Sequence, residues 1–140
     1  MKLVMAFGTF DLLHLGHVVL FQQARALGDK LIVVISRDEN VIKIKGKPPL
    51  FTEGERLKIV ASLKVVDEVV LGDTNNFFAA VVKYRPAVIC LGYDQKTLGE
   101  KEIREKLDEM GLSKTQVVRL KAFQPEKYKS SILKRICEVK

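Results

Sequence analysis

His14 and His17 are the only histidines in the chain, and both lie in the ten-residue stretch GTFDLLHLGH, residues 8–17. Imidazoles three residues apart can serve as a metal pair, or they can donate hydrogen bonds to phosphate oxygens. In the second role, fixed donors stabilise charge that develops on a phosphoryl group during transfer. Two ordinary histidines at a helix start are the chemically silent alternative. A structural zinc lacks its remaining ligands, because no cysteine or third histidine lies nearby. No residue is nominated as a metal ligand. Around the pair, Gly8 lets backbone approach a ligand closely and Thr9 adds a hydroxyl. A helix starting near Gly16 presents backbone N–H groups and the positive end of its dipole, an anion site. Three-residue spacing sets both imidazoles on one face once that helix has begun.

The elements needed to hold this stretch are legible along the chain. KLVMAF (2–7) reads as a first strand, ending where the histidine stretch begins. Residues 16–28 have helical spacing, with Val18, Phe21, Ala24 and Leu27 on one face and Gly28 as the stop. Strands follow at 30–36, 67–73, 87–93 and 115–120. Helices are expected at 52–63 behind a Thr52 cap, at 76–85 before Pro86, at 99–111 closed by Gly111, and at 130–139 behind a serine cap. The segment 43–51, KIKGKPPLF, reads as an irregular basic loop able to move on ligand binding. Five apolar strands alternating with helices predict an α/β fold: a single-domain, doubly wound, five-stranded parallel sheet over residues 1–140. Ligands of such a sheet bind beyond the carboxyl ends of its strands, where residues 8–17 fall.

Composition sets the class. The chain is 47% apolar and 29% charged, which fits a globular protein. No apolar run reaches the roughly 18 residues of a membrane helix, and the N-terminus reads as a strand, not a signal peptide. The expected location is therefore the cytoplasm, with no membrane partner. Cys90, in AVICLGY, reads as a core residue; Cys137 has no assigned role. The net charge of +7 raises nucleic-acid binding as an alternative. Its lysines gather in two short clusters, KIKGK at 43–47 and EKYKSSILKR at 126–135. Phosphates of a small molecule account for such clusters without a nucleic-acid partner. A non-catalytic module binding RNA or a nucleotide stays open beside an enzyme.

GTFDLLHLGH resembles the GTFDxxHxGH signature of the cytidylyltransferase-like nucleotidyltransferases, of the HIGH superfamily with its Rossmann-like fold. SRDENVIKIKGKPPLFTEGERLKIVASLKVVDEVVLGD resembles that family's lysine segment, E-x-R helix and VDEV strand, and LGYD its fourth-strand end. The likeness covers residues 3–95 closely and 115–137 more loosely. It implies attack of a phosphate on the α-phosphorus of a nucleoside triphosphate, with pyrophosphate leaving. By this resemblance His14 and His17 stabilise the transition state, and Lys45 and Lys47 hold phosphates as catalytic lysines. Gly8, Thr9, Phe10, Gly16, Arg56, Asp94, Ser130 and Ser131 line the nucleotide site. Arg56 has a plainer reading, as a surface residue paired with Glu53. Mg²⁺ or another divalent cation would accompany the triphosphate, and a homodimer is implied.

The acceptor divides the family. The R-T-E-G-I-S-T block of glycerol-3-phosphate and phosphocholine cytidylyltransferases is replaced here by KAFQPEKYKSSILKRI. SRDE, IKGKPP, LKVVD, LGYDQ and YKSS…KRI are most similar to the archaeal-type FAD synthase group, single-domain FMN adenylyltransferases. That likeness implies ATP and FMN as partners, with Tyr93 and Gln95 at the substrate. A glycerol-3-phosphate cytidylyltransferase and a sugar-phosphate nucleotidyltransferase of the lipopolysaccharide-core type are the alternatives.

Overall fold

A computed structural model of the chain describes residues 1–91 and 99–121. The five strands are all present: β1 (Leu3–Gly8), β2 (Lys30–Ile35), β3 (Glu68–Leu71), β4 (Val88–Leu91) and β5 (Gln116–Arg119). They form one parallel sheet in the order β3-β2-β1-β4-β5. Chain order reverses between β1 and β4, so the crevice beyond their carboxyl ends is the topological switch point. Five helices are described: α1 (Leu15–Arg25), α2 (Asp38–Lys45), α3 (Glu53–Ala61), α4 (Ala79–Tyr84) and α5 (Glu100–Glu109).

Strand side chains alternate between the two faces, and each face carries its own core. Val4, Ala6, Leu31, Val33 and Cys90 pack with Phe21 and Ala24 of α1 and Val60 of α3. Met5, Phe7, Ile32, Val34 and Ile89 pack with Val81 of α4 and with Ile103 and Leu107 of α5. Burial on both faces is why the strands are continuous apolar runs, and it makes the sheet doubly wound. Among the described residues no helix is long and apolar enough to cross a membrane.

Three local expectations are corrected. The first concerns 43–51, whose beginning is not loop. Residues 38–45 form α2, with Asp38 and Glu39 in its first turn and Lys43 and Lys45 in its last. Acids at the start and bases at the end favour the helix dipole, and Gly46, at φ 78°, supplies the left-handed cap. Alternating Ile and Lys concealed this, because a short exposed helix needs only one buried residue, here Val41. The second concerns Gly28, which does not end α1; the helix closes at Ala26 in ordinary right-handed geometry. Gly28 is required by the backbone beside it, since a Cβ there would stand 2.6 Å from the carbonyl oxygen of Lys2. The third concerns 76–85, whose first turn is not helix. Asp73 Oδ1 accepts from the N–H groups of Asn75 and Asn76 at 2.8 and 2.9 Å, and Asn76 Oδ1 accepts from that of Phe78 at 3.0 Å. These side-chain turns compete with helix until Ala79.

Candidate active site

The loop from β1 to α1 turns at Phe10, whose φ of 51° is unusual for a residue with a side chain. The turn folds the Phe10 ring back under Gly8, where an added Cβ would lie 2.6 Å from the ring. The ring then enters the core, with its centroid 4.9 Å from that of Phe21 and 5.4 Å, edge-on, from that of His17. Phe10 is thus 8% exposed and forms the floor beneath the histidines. The glycine is needed for this contact within its own chain, whatever ligand approaches above it.

His14 is the N-cap of α1 and His17 its third residue. Their link is reciprocal. The N–H of Gly16 donates to Nδ1 of His14 at 3.1 Å, and the N–H of His14 donates to Nδ1 of His17 at 3.2 Å. The rings lie close, tilted by 31° with centroids 3.9 Å apart. This is a capping box in which two imidazoles replace the usual hydroxyl and carboxylate. An Nδ1 that accepts carries no proton, so a neutral ring must hold its proton on Nε2. Burial lowers the pKa of both rings. For His17 burial, with the charge of His14 as a second cause, takes it down to about 3. Neutral imidazoles with Nε2–H donors are therefore the state at physiological pH. The N–H of Gly16 is engaged by His14, and that of His17 turns back to the His14 carbonyl at 3.0 Å. The first-turn N–H groups of Gly16 and His17 are thus already engaged within the loop.

Arg56 is fully buried, so the surface pairing with Glu53 is not what it makes. Its Nε donates to the Phe51 carbonyl at 3.1 Å and one terminal nitrogen to the Thr9 carbonyl at 2.8 Å. The other meets Asp38 Oδ1 at 2.6 Å. Glu53 instead pairs with Arg37 at 2.8 Å and accepts from the Asp38 N–H at 2.9 Å. Asp38 in turn accepts from the Glu53 N–H at 3.1 Å, so α2 and α3 cap each other. Arg56 is thereby a positioning residue that ties Thr9 to the starts of both helices.

Two residues of this framework were not singled out from the sequence. Asp11 is 4% exposed, and its two oxygens accept from the N–H groups of Leu50 and Phe51 at 2.7 and 2.8 Å. It fastens the segment following α2 to the histidine loop. Asp38 anchors Arg56. Asp11 lies inside the quoted signature and Asp38 inside SRDE, but nothing in their spacing reveals partners 39 and 18 residues away. Lys45 and Lys47 are exposed on either side of Gly46, one on the last turn of α2 and one beyond it. Tyr93, Asp94, Gln95, Ser130, Ser131 and Cys137, with the expected helix at 130–139, lie outside the described residues. So the structure brings together Gly8, Thr9, Phe10, His14, Gly16, His17 and Arg56, and sets the lysines on an adjoining element. Among the described residues no three His, Cys, Asp or Glu side chains converge to hold a metal ion.

Comparison with known proteins agrees with this fold. Residues 5–136 match the model of the family described as cytidylyltransferase-like. The chain is 43% identical over 139 residues to an FAD synthase of Archaeoglobus profundus, covering 97% of this chain and 86% of that one. It is 48% identical over 120 residues to an FAD synthase of Aciduliprofundum boonei, covering 86% and 78%. The crystal structure of a lipopolysaccharide core biosynthesis protein from Thermoplasma volcanium superimposes with a TM-score of 0.82 at 39% identity, covering 89% of this chain and 99% of that one.

Proposed function

The chain belongs to the cytidylyltransferase-like family, and from its likeness to archaeal FAD synthases we propose that it is an FAD synthase, transferring AMP from ATP to FMN. The observation that carries the transfer chemistry is the reciprocal capping of His14 and His17, which keeps both Nδ1 atoms as acceptors and both Nε2–H groups as donors. The choice of ATP and FMN rests on the archaeal relatives named FAD synthase.

A phosphate oxygen of FMN attacks the α-phosphorus of ATP, the bond to the bridging oxygen of the β-phosphate breaks, and pyrophosphate leaves. The two Nε2–H donors face the oxygens on which charge accumulates. Fixed neutral donors in a partly buried loop need no reorganisation as that charge grows. Lys45 and Lys47 hold the departing phosphates. Asp11 and Arg56 keep the lysine segment and Thr9 in register with the histidines. Mg²⁺ or another divalent cation, carried on the phosphates of ATP, would neutralise part of the triphosphate charge beside Lys45 and Lys47. The working unit is proposed as a homodimer; Ile42, Ile44 and Leu50 offer it exposed apolar surface, and sedimentation velocity checks it.

The test is a product assay with Mg²⁺ and FMN plus ATP, and in parallel with glycerol 3-phosphate plus CTP. FAD in the first mixture and nothing in the second is the expected result. A CDP-glycerol product alone would reverse the substrate assignment and keep the histidine chemistry. The structural neighbour named for lipopolysaccharide core biosynthesis favours a second reading, a sugar-phosphate acceptor, if neither product forms. His17→Ala is expected to fold and to lose at least about a hundredfold in turnover, the low end for a fixed transition-state donor. A purely RNA-binding module would instead show steeply salt-dependent affinity and no preference for nucleoside triphosphates.

A further inference from the structure

A concavity opens on the same edge of the sheet as the histidine loop, beyond the ends of β2 and β3 and against α4. Its volume is about 290 Å³. Ligand sites for whole small molecules begin at about 300 Å³, so this cleft fits part of a ligand, such as one planar ring system. Leu71, Gly72, Ala79 and Ala80 give it an apolar floor and wall, Arg37 and Lys83 bring cations to it, and the Asp73 carboxylate borders it beside them. Arg37 gives its Nε to Glu53, which leaves the guanidinium further donors. Lys83 lies over the Tyr84 ring at 5.1 Å.

Strand register fixes where this cleft stands relative to the histidines. Gly8 is level with Ile35, and Ile35 with Leu71. Neighbouring strands are about 4.8 Å apart, so the end of β3 lies about 10 Å from the end of β1. Phe77, two residues before Ala79, packs against Phe7 near the end of β1, with ring centroids 4.6 Å apart, and keeps 36% of its surface exposed. We propose that this cleft receives the isoalloxazine ring of FMN while its phosphate is at His14 and His17. The extended ribityl chain that joins phosphate to ring suits the gap. The ring's dimethylated edge matches the alanine wall. Its pyrimidine edge, with two carbonyl oxygens, matches Arg37 and Lys83. This placement leaves the crevice between β1 and β4 to the nucleotide. It rests on the FMN adenylyltransferase reading.

The experiment titrates FMN, and separately riboflavin, into the protein without ATP and follows flavin fluorescence. Lys83→Glu and Ala79→Leu are compared with wild type. Lys83 is exposed and leucine is a good helix former, so both variants are expected to fold. Each should weaken FMN and riboflavin in parallel, by about tenfold for loss of a charged contact in Lys83→Glu. In FAD formation the KM for FMN should rise while that for ATP stays put. If wild type makes FAD and both variants keep their flavin affinity, the cleft assignment is overturned and the function stands. Loss of FMN affinity with riboflavin unaffected would place the phosphate, not the ring, in the cleft, and also overturns it. A wild type that neither binds flavin nor forms FAD overturns the functional reading and this inference together.

Discussion

The N–H of His14 donates to Nδ1 of His17 at 3.2 Å, so one histidine of the pair orients the other. The three-residue spacing has a structural reason: it is the distance from a helix N-cap to its third residue, where a capping box closes. The same bonds that begin α1 decide which nitrogen of each imidazole bears the proton. Local helix chemistry and phosphate chemistry are thus met by the same two side chains, one nitrogen for each purpose.

Those two purposes can be separated at His17. In His17→Asn the side-chain oxygen can replace Nδ1 as acceptor for the His14 N–H, but nothing replaces Nε2. The variant should keep most of its stability and lose turnover as His17→Ala does. His17→Ala should in addition lose about 0.5–2 kcal/mol, the usual range for a missing cap. Urea unfolding and initial rates on the three proteins check this. Equal stability of both variants would show that the cap contributes nothing.

Gly8 and Phe10 form a second testable pair. Gly8→Ala sets a Cβ 2.6 Å from the Phe10 ring, and the ring can leave only by giving up its place against Phe21. The expected cost is about 1–3 kcal/mol, as for overpacking a core. Phe10→Leu relieves the clash, so the double variant should be more stable than the sum of the single effects predicts. A double-mutant cycle on urea midpoints measures that coupling; additivity would mean that the two positions do not meet.

The pattern of what was legible in the sequence follows from how far each signal reaches. Val4, Ala6 and Val33 on one face, against Met5, Ile32 and Val34 on the other, are runs buried on both sides, and local sequence carries that directly. Thr52 as a cap is equally local, and Glu55 closes its box. The histidine pair was legible in type and spacing, its tautomers were not, because they depend on backbone N–H groups. Asp11, Asp38 and Arg56 act across 18 to 47 residues, a range that no periodicity reports. Helix α2 was missed because its stability lies in terminal charges and a glycine cap rather than in an apolar stripe.

Arg56 offers the sharpest test of positioning. Arg56→Ala leaves Asp38 without its buried partner and the Thr9 and Phe51 carbonyls without donors. A loss of about 3–5 kcal/mol is expected for breaking such a pair from one side. Arg56→Lys keeps the charge but not the planar fork that reaches three separate acceptors. It should fold with intermediate stability and show a lower turnover, although Arg56 reaches only protein groups in the described contacts. Denaturant curves and steady-state kinetics on the lysine variant check this. Turnover equal to wild type would mean that the Thr9 carbonyl needs no such anchor.

The depressed pKa of His17 makes stability depend on pH in a definite direction. Unfolded, an imidazole titrates near 6.5; in the native protein burial first, and the charge of His14 second, hold it down to about 3. Below pH 6.5 the unfolded chain therefore takes up a proton that the native protein refuses. Stability from this group is fully present above that pH and is lost as pH falls toward about 3, by up to about 1.4 kcal/mol per pH unit. His14 acts in the same sense, since burial lowers its pKa as well. Carboxylates titrate over the lower part of this window, so the measurement is the difference between wild type and His17→Asn. Moving from about pH 7.5 to about pH 5, wild type should lose up to about 2 kcal/mol more than the variant. Urea midpoints at the two pH values read that difference. Identical losses would mean that His17 is as easily protonated in the folded protein as in the unfolded one, and the picture of neutral, fixed Nε2–H donors would have to be abandoned.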